Sequence, residues 1–215
     1  MIGQNPDQTP RVARLPGVVA EDVVSVVPLT GSVGWGRINV EGYAPPPGQE
    51  LQVDIRVAGT DYFRTMEIPV RKGRFFTEDD TADKPQVVII DEKFAQRFWP
   101  DRDPIGKHLW FDPKKPFKIV GVVGVVKQYG LETDGKIATY FPHQQRPGNR
   151  MFLAVRTSSE VAGLSSAIAG EIHAVDPDVV VYGVRTMQER LHDSLARQRF
   201  SMRCECGFAW PGSAN

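Results

Sequence analysis

Apolar and polar residues alternate through much of this chain, and a helical spacing of apolar residues sets in over its last third. Valines at 23, 24, 26 and 27 predict a buried strand within Val18–Leu29, and Arg37–Tyr43 alternates as a second. Leu51, Val53, Ile55 and Val57 alternate with Gln52, Asp54 and Arg56, the pattern of a strand with one face inward and a polar face outward. Asp61–Glu67 predicts a short helix capped by Thr60 that buries Tyr62, Phe63 and Met66, and Ile68–Phe76 returns as a strand.

The text changes character near Thr77. After an acidic stretch, Val87–Ile90 is continuously β-prone and predicts a strand buried on both faces. Asp91 caps a helix with Phe94, Ala95 and Phe98 on one side, and Pro100 stops it. Gly106–Phe111, Phe117–Val126 and Ile137–Phe141 are short strands between glycine and proline breaks, which predicts a small barrel or sandwich. Beyond them come a strand over Met151–Arg156, a helical stripe of Leu164, Ile168, Ile172 and Val175, and a strand over Val179–Val184. Thr186 and Glu189 have capping-box spacing ahead of a last helix carrying Met187, Leu191 and Leu195. Residues 1–17 form a polar lead-in with one helical turn near Val12–Leu15.

Composition narrows the function classes. The 215 residues carry 26 basic and 26 acidic side chains, a balance that argues against a nucleic-acid binder. The two cysteines, Cys204 and Cys206, make neither a disulfide framework nor a zinc site. No stretch is long and apolar enough to span a bilayer, and Met1–Pro10 does not read as a secretory signal.

Candidate chemistry is sparse. His108, His143, His173 and His192 are too far apart in sequence to form a helical ligand pair, and Ser25, Ser32 and Ser201 lack a nucleophile-elbow context. Gly121 and Gly124 lie inside a β-branched run, where close backbone packing explains them better than a phosphate loop does. Glu78, Asp79, Asp80 and Asp83 lack the spacing of a calcium loop, Lys114–Lys118 reads as a solvated turn, and Trp99 and Trp110 read as packing residues. The residues therefore predict no catalytic, cofactor-binding or metal site, no cofactor and no enzymatic activity.

Six segments in order resemble the periplasmic core domain of MacB/FtsX-type ABC transporter permeases. They are Asp61-Tyr62-Phe63-Arg64-Thr65-Met66 with Ile68-Pro69, Gly73-Arg74-Phe75-Phe76, Val87 to Ala95, Phe98-Trp99-Pro100 with Asp103 to Lys107, Ile119 to Gly124, and Val184-Arg185-Thr186-Met187. The resemblance implies an α+β fold with a porter-like βαβ subdomain over 18–76 and 148–202, an inserted β-rich, barrel-like subdomain over 77–147, and an atypical tail over 203–215. It further implies an extracytoplasmic, periplasmic part of a permease that transmits ATP-driven motion and docks partners or substrate for export. The implied partners are a second permease copy, a cytoplasmic ATPase and a periplasmic adaptor, with no nucleic acid and with membrane contact only through helices outside this sequence. Two other expectations stand beside it. One is a free-standing extracytoplasmic ligand-binding module. The other is a hydrolase assembled by the fold from among Asp54, Asp91, Glu92 and Glu171.

Overall fold

β-Branched runs form the strands of this computed structural model, which describes residues 11–30, 34–130, 136–148, 150–158 and 163–205. In chain order the strands are β1 (Val18–Val24), β2 (Trp35–Arg37), β3 (Asn39–Val40), β4 (Gln52–Ala58), β5 (Val70–Gly73), β6 (Val87–Asp91), β7 (His108–Trp110), β8 (Phe117–Val123), β9 (Ala138–Pro142) and β10 (Phe152–Thr157). The helices are α1 (Tyr62–Thr65), α2 (Glu92–Phe98), α3 (Leu164–Val175) and α4 (Met187–Glu205). A 3-10 turn over Arg11–Arg14 precedes β1, where the sequence predicts a helical turn.

The strands join in one mixed sheet, ordered β10-β1-β4-β9-β6-β8-β7-β3, with β2 on β4 and β5 on β8. The first and last strands of the chain lie side by side at one end of this order: β1 pairs antiparallel with β10 from Val18–Thr157 to Val24–Phe152. Residues 77–147 supply β6 to β9, which meet the rest through the parallel β4–β9 ladder and the antiparallel β5–β8 and β3–β7 ladders.

The unbroken apolar run at Val87–Ile90 has a direct structural cause. Val88 and Ile90 enter one apolar cluster with Phe94, Trp99, Leu109 and Phe141. Val87 and Ile89 enter another with Tyr62, Phe63, Phe76 and Tyr140. β6 thus separates two cores, α2 covering one face and α1 the other, and a fully buried side chain of this size contributes roughly 1.5–3 kcal/mol. Along β8 the register slips opposite Val88–Ile89, so that Ile119 and Val122 both face the α2 side although their positions differ in parity. Gly121 sits at that slip, where a Cβ would lie 2.2 Å from the Arg74 carbonyl oxygen. Close backbone approach, not phosphate binding, accounts for this glycine.

Caps follow the sequence at two helices and depart from it at one. Asp91 accepts the Phe94 amide at 2.7 Å, and Thr186 and Glu189 exchange both bonds of a capping box at 2.7 and 3.1 Å. Thr60 does not cap α1, because its hydroxyl donates to Glu78 at 2.8 Å. Asp22 on β1 does so from a distance, accepting the Asp61 amide at 2.6 Å.

Val179–Val184 does not form the predicted strand. Among the described residues no backbone ladder pairs with it, and β propensity without a neighbouring strand makes no sheet. β1 also ends at Val24 rather than continuing to Leu29, where a positive φ of 65° turns the chain.

Candidate functional site

The polar face expected on β4 is not exposed. Asp54 and Arg56, two residues apart and therefore on one side of the strand, are 1% and 2% exposed and form an ion pair at 2.9 Å. The Arg56 guanidinium also donates to the Gly34 and Ile55 carbonyl oxygens at 3.0 Å each. Tyr129 donates its hydroxyl to the second Asp54 oxygen at 2.6 Å. Every charged group in this centre is thus held by several partners, the condition under which a buried pair is tolerated. Opposite charges at i and i+2 on a strand were the signal in the sequence. Reading them as a water-facing set missed it, because β4 is packed on both faces.

Asp91 lies at the end of β6, where it accepts the Phe94 amide and, with its other oxygen at 3.1 Å, the Ala138 amide. Burial, with the charge of Asp54 as a smaller contribution, raises its pKa to about 7. A second acidic group surrounds the start of α1. Asp22 is raised to about 6 by burial, and Glu21 to about 7 by burial and then by the charges of Asp22 and Asp61.

The residues weighed for hydrolysis do not converge on a cleft. Asp54 and Asp91 are closed off in the core and occupied as above, Glu92 pairs with Arg71 at 3.1 Å on the surface, and Glu171 lies on α3. One Glu171 carboxylate oxygen is buried with no hydrogen-bond partner. Asp80, from the acidic stretch, is bound by both terminal nitrogens of Arg74 at 2.7 and 2.8 Å. That guanidinium lowers the Asp80 pKa against the opposing effect of burial. Asp83 bonds the Thr81 hydroxyl, and Glu78 bonds Thr60 and Gln144.

The histidines stay apart. His108 contacts Glu41 through Nδ1 at 2.9 Å, and His173 contacts the Val179 carbonyl oxygen through Nε2 at 3.0 Å. His143 is half-buried, and that burial lowers its pKa. His192 is exposed on α4. Ser25 accepts the Val57 amide at 2.9 Å. Ser32 and Cys206 lie outside the described residues, as do the side chains of Ser201 and Cys204. Lys114 and Lys115 are exposed, Trp99 is buried in the α2-side core, and Trp110 on β7 accepts the Asn39 side-chain amide with its carbonyl oxygen. Among the described residues no group of three or more His, Cys, Asp or Glu could hold a metal ion.

Two surface clefts flank the start of α4. One of about 360 Å³ is lined by Leu29, Thr30, Arg185, Arg190, Asp193 and Ala196. Another of about 280 Å³ is mainly apolar, with Pro28, Met66, Ile68, Pro69, Val126 and Met187 around it. Among the described residues no helix is long and apolar enough to cross a membrane.

A fold of this kind, with its polar groups spent on internal bonds, matches known proteins in one direction. The sequence profile described as the MacB-like periplasmic core domain matches residues 2–171. The chain belongs to that family. Among curated relatives, the macrolide export ATP-binding/permease protein MacB of Aggregatibacter actinomycetemcomitans is 37% identical over 121 residues, 56% of this chain and 17% of the relative. The MacB of Vibrio parahaemolyticus is 31% identical over 145 residues, 66% of this chain and 21% of the relative. The chain therefore aligns to a minor part of these relatives' lengths. Among solved structures, the periplasmic region of MacB from Actinobacillus actinomycetemcomitans superposes with a TM-score of 0.55 at 17% identity, covering 81% of this chain and 75% of that one. A domain of a putative permease from Porphyromonas gingivalis gives 0.52 at 15% identity, covering 78% and 70%. At these identities the superpositions establish the α+β fold alone. The MacB-like periplasmic core domain is part of a transporter permease and not an enzyme family.

Proposed function

We propose that this domain is the stiff extracytoplasmic body of an ABC transporter permease, carrying ATP-driven displacement of membrane helices to substrate or partners outside the membrane. The observation that supports this most is the single hydrogen-bonded sheet. It runs from the β1–β10 pair, built from both parts of the chain, through the single Val24–Ala58 pair that joins β1 to β4, to β3 at the far edge. A displacement applied at one edge moves the other only if the body between does not deform, and ladders packed on both faces by separate cores resist deformation.

In this reading 18–76 and 148–202 form the porter-like unit and 77–147 the inserted one. The intact permease works as two copies with a cytoplasmic ATPase and a periplasmic adaptor. The curated relatives are macrolide exporters by name, so a macrolide is the first substrate to assay.

The test replaces the corresponding domain of the Aggregatibacter relative with residues 18–202 and measures ATP hydrolysis and macrolide export. A second version carries a short flexible Gly/Ser segment after Met202. The expected result is export by the first version, and by the second, hydrolysis with export lost. Undiminished export through the flexible join would overturn the mechanical reading.

A further inference from the structure

The apolar cleft of about 280 Å³ beside the start of α4 is a groove with fixed walls. One wall is made by Met66 and Ile68, both packed against the α1-side core. They belong to the turn that ends α1, where the Glu67 and Ile68 amides donate back to the Arg64 and Phe63 carbonyl oxygens at 3.1 and 2.8 Å. Glu67 takes the left-handed position of that turn at a φ of 53°, a place where glycine is usual. Another wall, residues 125–127, is strung between two fixed points. Gly124 donates its amide to the Pro69 carbonyl oxygen at 2.9 Å, and the Gln128 carbonyl oxygen accepts the Leu29 amide at 2.9 Å. Leu29 is also left-handed, at a φ of 65°. Both non-glycine residues with positive φ among the described residues therefore line this one groove, and backbone strain of this kind gathers at binding sites.

We propose that this groove holds the hydrocarbon chain of an anionic amphiphile, with Lys127 binding its head group.

The walls, the size and the charge of the groove select that occupant. A peptide would find little to pair with: Pro28 and Pro69 have no N–H, and the Leu29, Met66, Glu67 and Ile68 amides all donate inward. Such walls suit a chain that carries no hydrogen-bonding groups of its own. The volume lies below the roughly 300–1,000 Å³ that encloses a drug-sized ligand, so it takes one chain rather than a ring system. Met187, 40% exposed, adds a flexible thioether that conforms to an apolar chain. The charge at the rim is positive. Lys127 is exposed, and among the described residues no carboxylate pairs with it, whereas the Glu67 carboxylate is taken by Arg156.

As a station on an export route the groove rests on the permease reading above. Its occupancy does not, and the experiment reads occupancy on this chain alone.

Dodecanoate is titrated, below its micellar concentration, into the full chain carrying ¹³C-labelled methionine methyl groups. The expected result is saturable shifts of the Met66 and Met187 signals, with Met151 unmoved. Across hexanoate, octanoate and decanoate, affinity should rise roughly fourfold per buried methylene. Lys127→Gln should weaken octanoate about two- to fivefold and leave uncharged octanol unchanged. Met187→Asp should abolish binding of both, read at Met66, while the urea midpoint is kept. Failure of dodecanoate to give saturable shifts at Met66 and Met187 would overturn the proposal. Tighter binding of dodecyltrimethylammonium than of dodecanoate would overturn the anionic head, as would an unaltered octanoate affinity in Lys127→Gln. Shifts of Met66 and Met187 on dilution, with no amphiphile present, would assign the groove to a second copy of the chain and equally overturn it. Loss of export in the transporter chimera with dodecanoate binding intact would count against the mechanical reading and leave the groove standing.

Discussion

Arg56→Met should be among the most damaging single substitutions in this protein. It removes a charge that is 2% exposed, together with the 2.9 Å pair to Asp54 and two 3.0 Å bonds to the Gly34 and Ile55 carbonyl oxygens. Asp54 keeps only the Tyr129 hydroxyl and becomes an uncompensated carboxylate inside the sheet. Breaking a buried pair from one side costs about 3–5 kcal/mol. For a chain of this size that corresponds to a fall in Tm of roughly 10 °C. Urea denaturation gives the free energy through the midpoint, provided the slope is unchanged. The double variant Asp54→Leu with Arg56→Met should recover most of the loss, because apolar groups of similar volume replace a pair that attraction barely stabilises. A single-variant cost below about 1 kcal/mol, or a double variant as damaged as the sum of the two singles, would refute this account of the pair.

Stability should rise as pH falls from about 8 toward 5. Asp91, Glu21 and Asp22 have folded-state values near 7, 7 and 6, above their ordinary ones, so the fold binds these protons more readily than the unfolded chain does. Their penalty is complete at alkaline pH and is relieved through that window. For Asp91 the gain is at most about 1.4 kcal/mol per pH unit, read from urea midpoints and reduced by Asp91→Asn. At lower pH Asp80, whose carboxyl Arg74 holds down, reverses the trend as it protonates. Thr186→Ala should cost about 1 kcal/mol locally, seen as faster amide exchange in the first turn of α4 with Tm nearly unchanged. Phe63→Ala, at a fully buried ring touching Tyr62, Phe75, Phe76 and Tyr140, should cost about 3–5 kcal/mol in the same denaturation assay.

What could be read in the sequence was local. The Asp91 cap, the Thr186–Glu189 box and the two-sided burial of Val87–Ile90 each depend on residues within a few positions of one another, and the structure has all three. The rest depended on distant partners. Thr60 has the right chemistry to cap α1, yet Asp22 reaches it from another strand, which no local pattern encodes. Asp54 and Arg56 look water-facing until β4 is known to be buried on both sides. The valine run at 179–184 has strand composition, but a strand is a property of two segments, and its neighbour is a matter of topology. The family emerged from motif order, because six short matches in register constrain a chain more than any one of them.

The position of β6 between two cores bears on how this domain can change over generations. Its five residues are all buried, with alternate positions committed to different clusters. No substitution along Val87–Asp91 lands on a neutral face, so drift in this family should accumulate on strands with a wet side and leave this one as the slow-changing marker by which distant members are aligned.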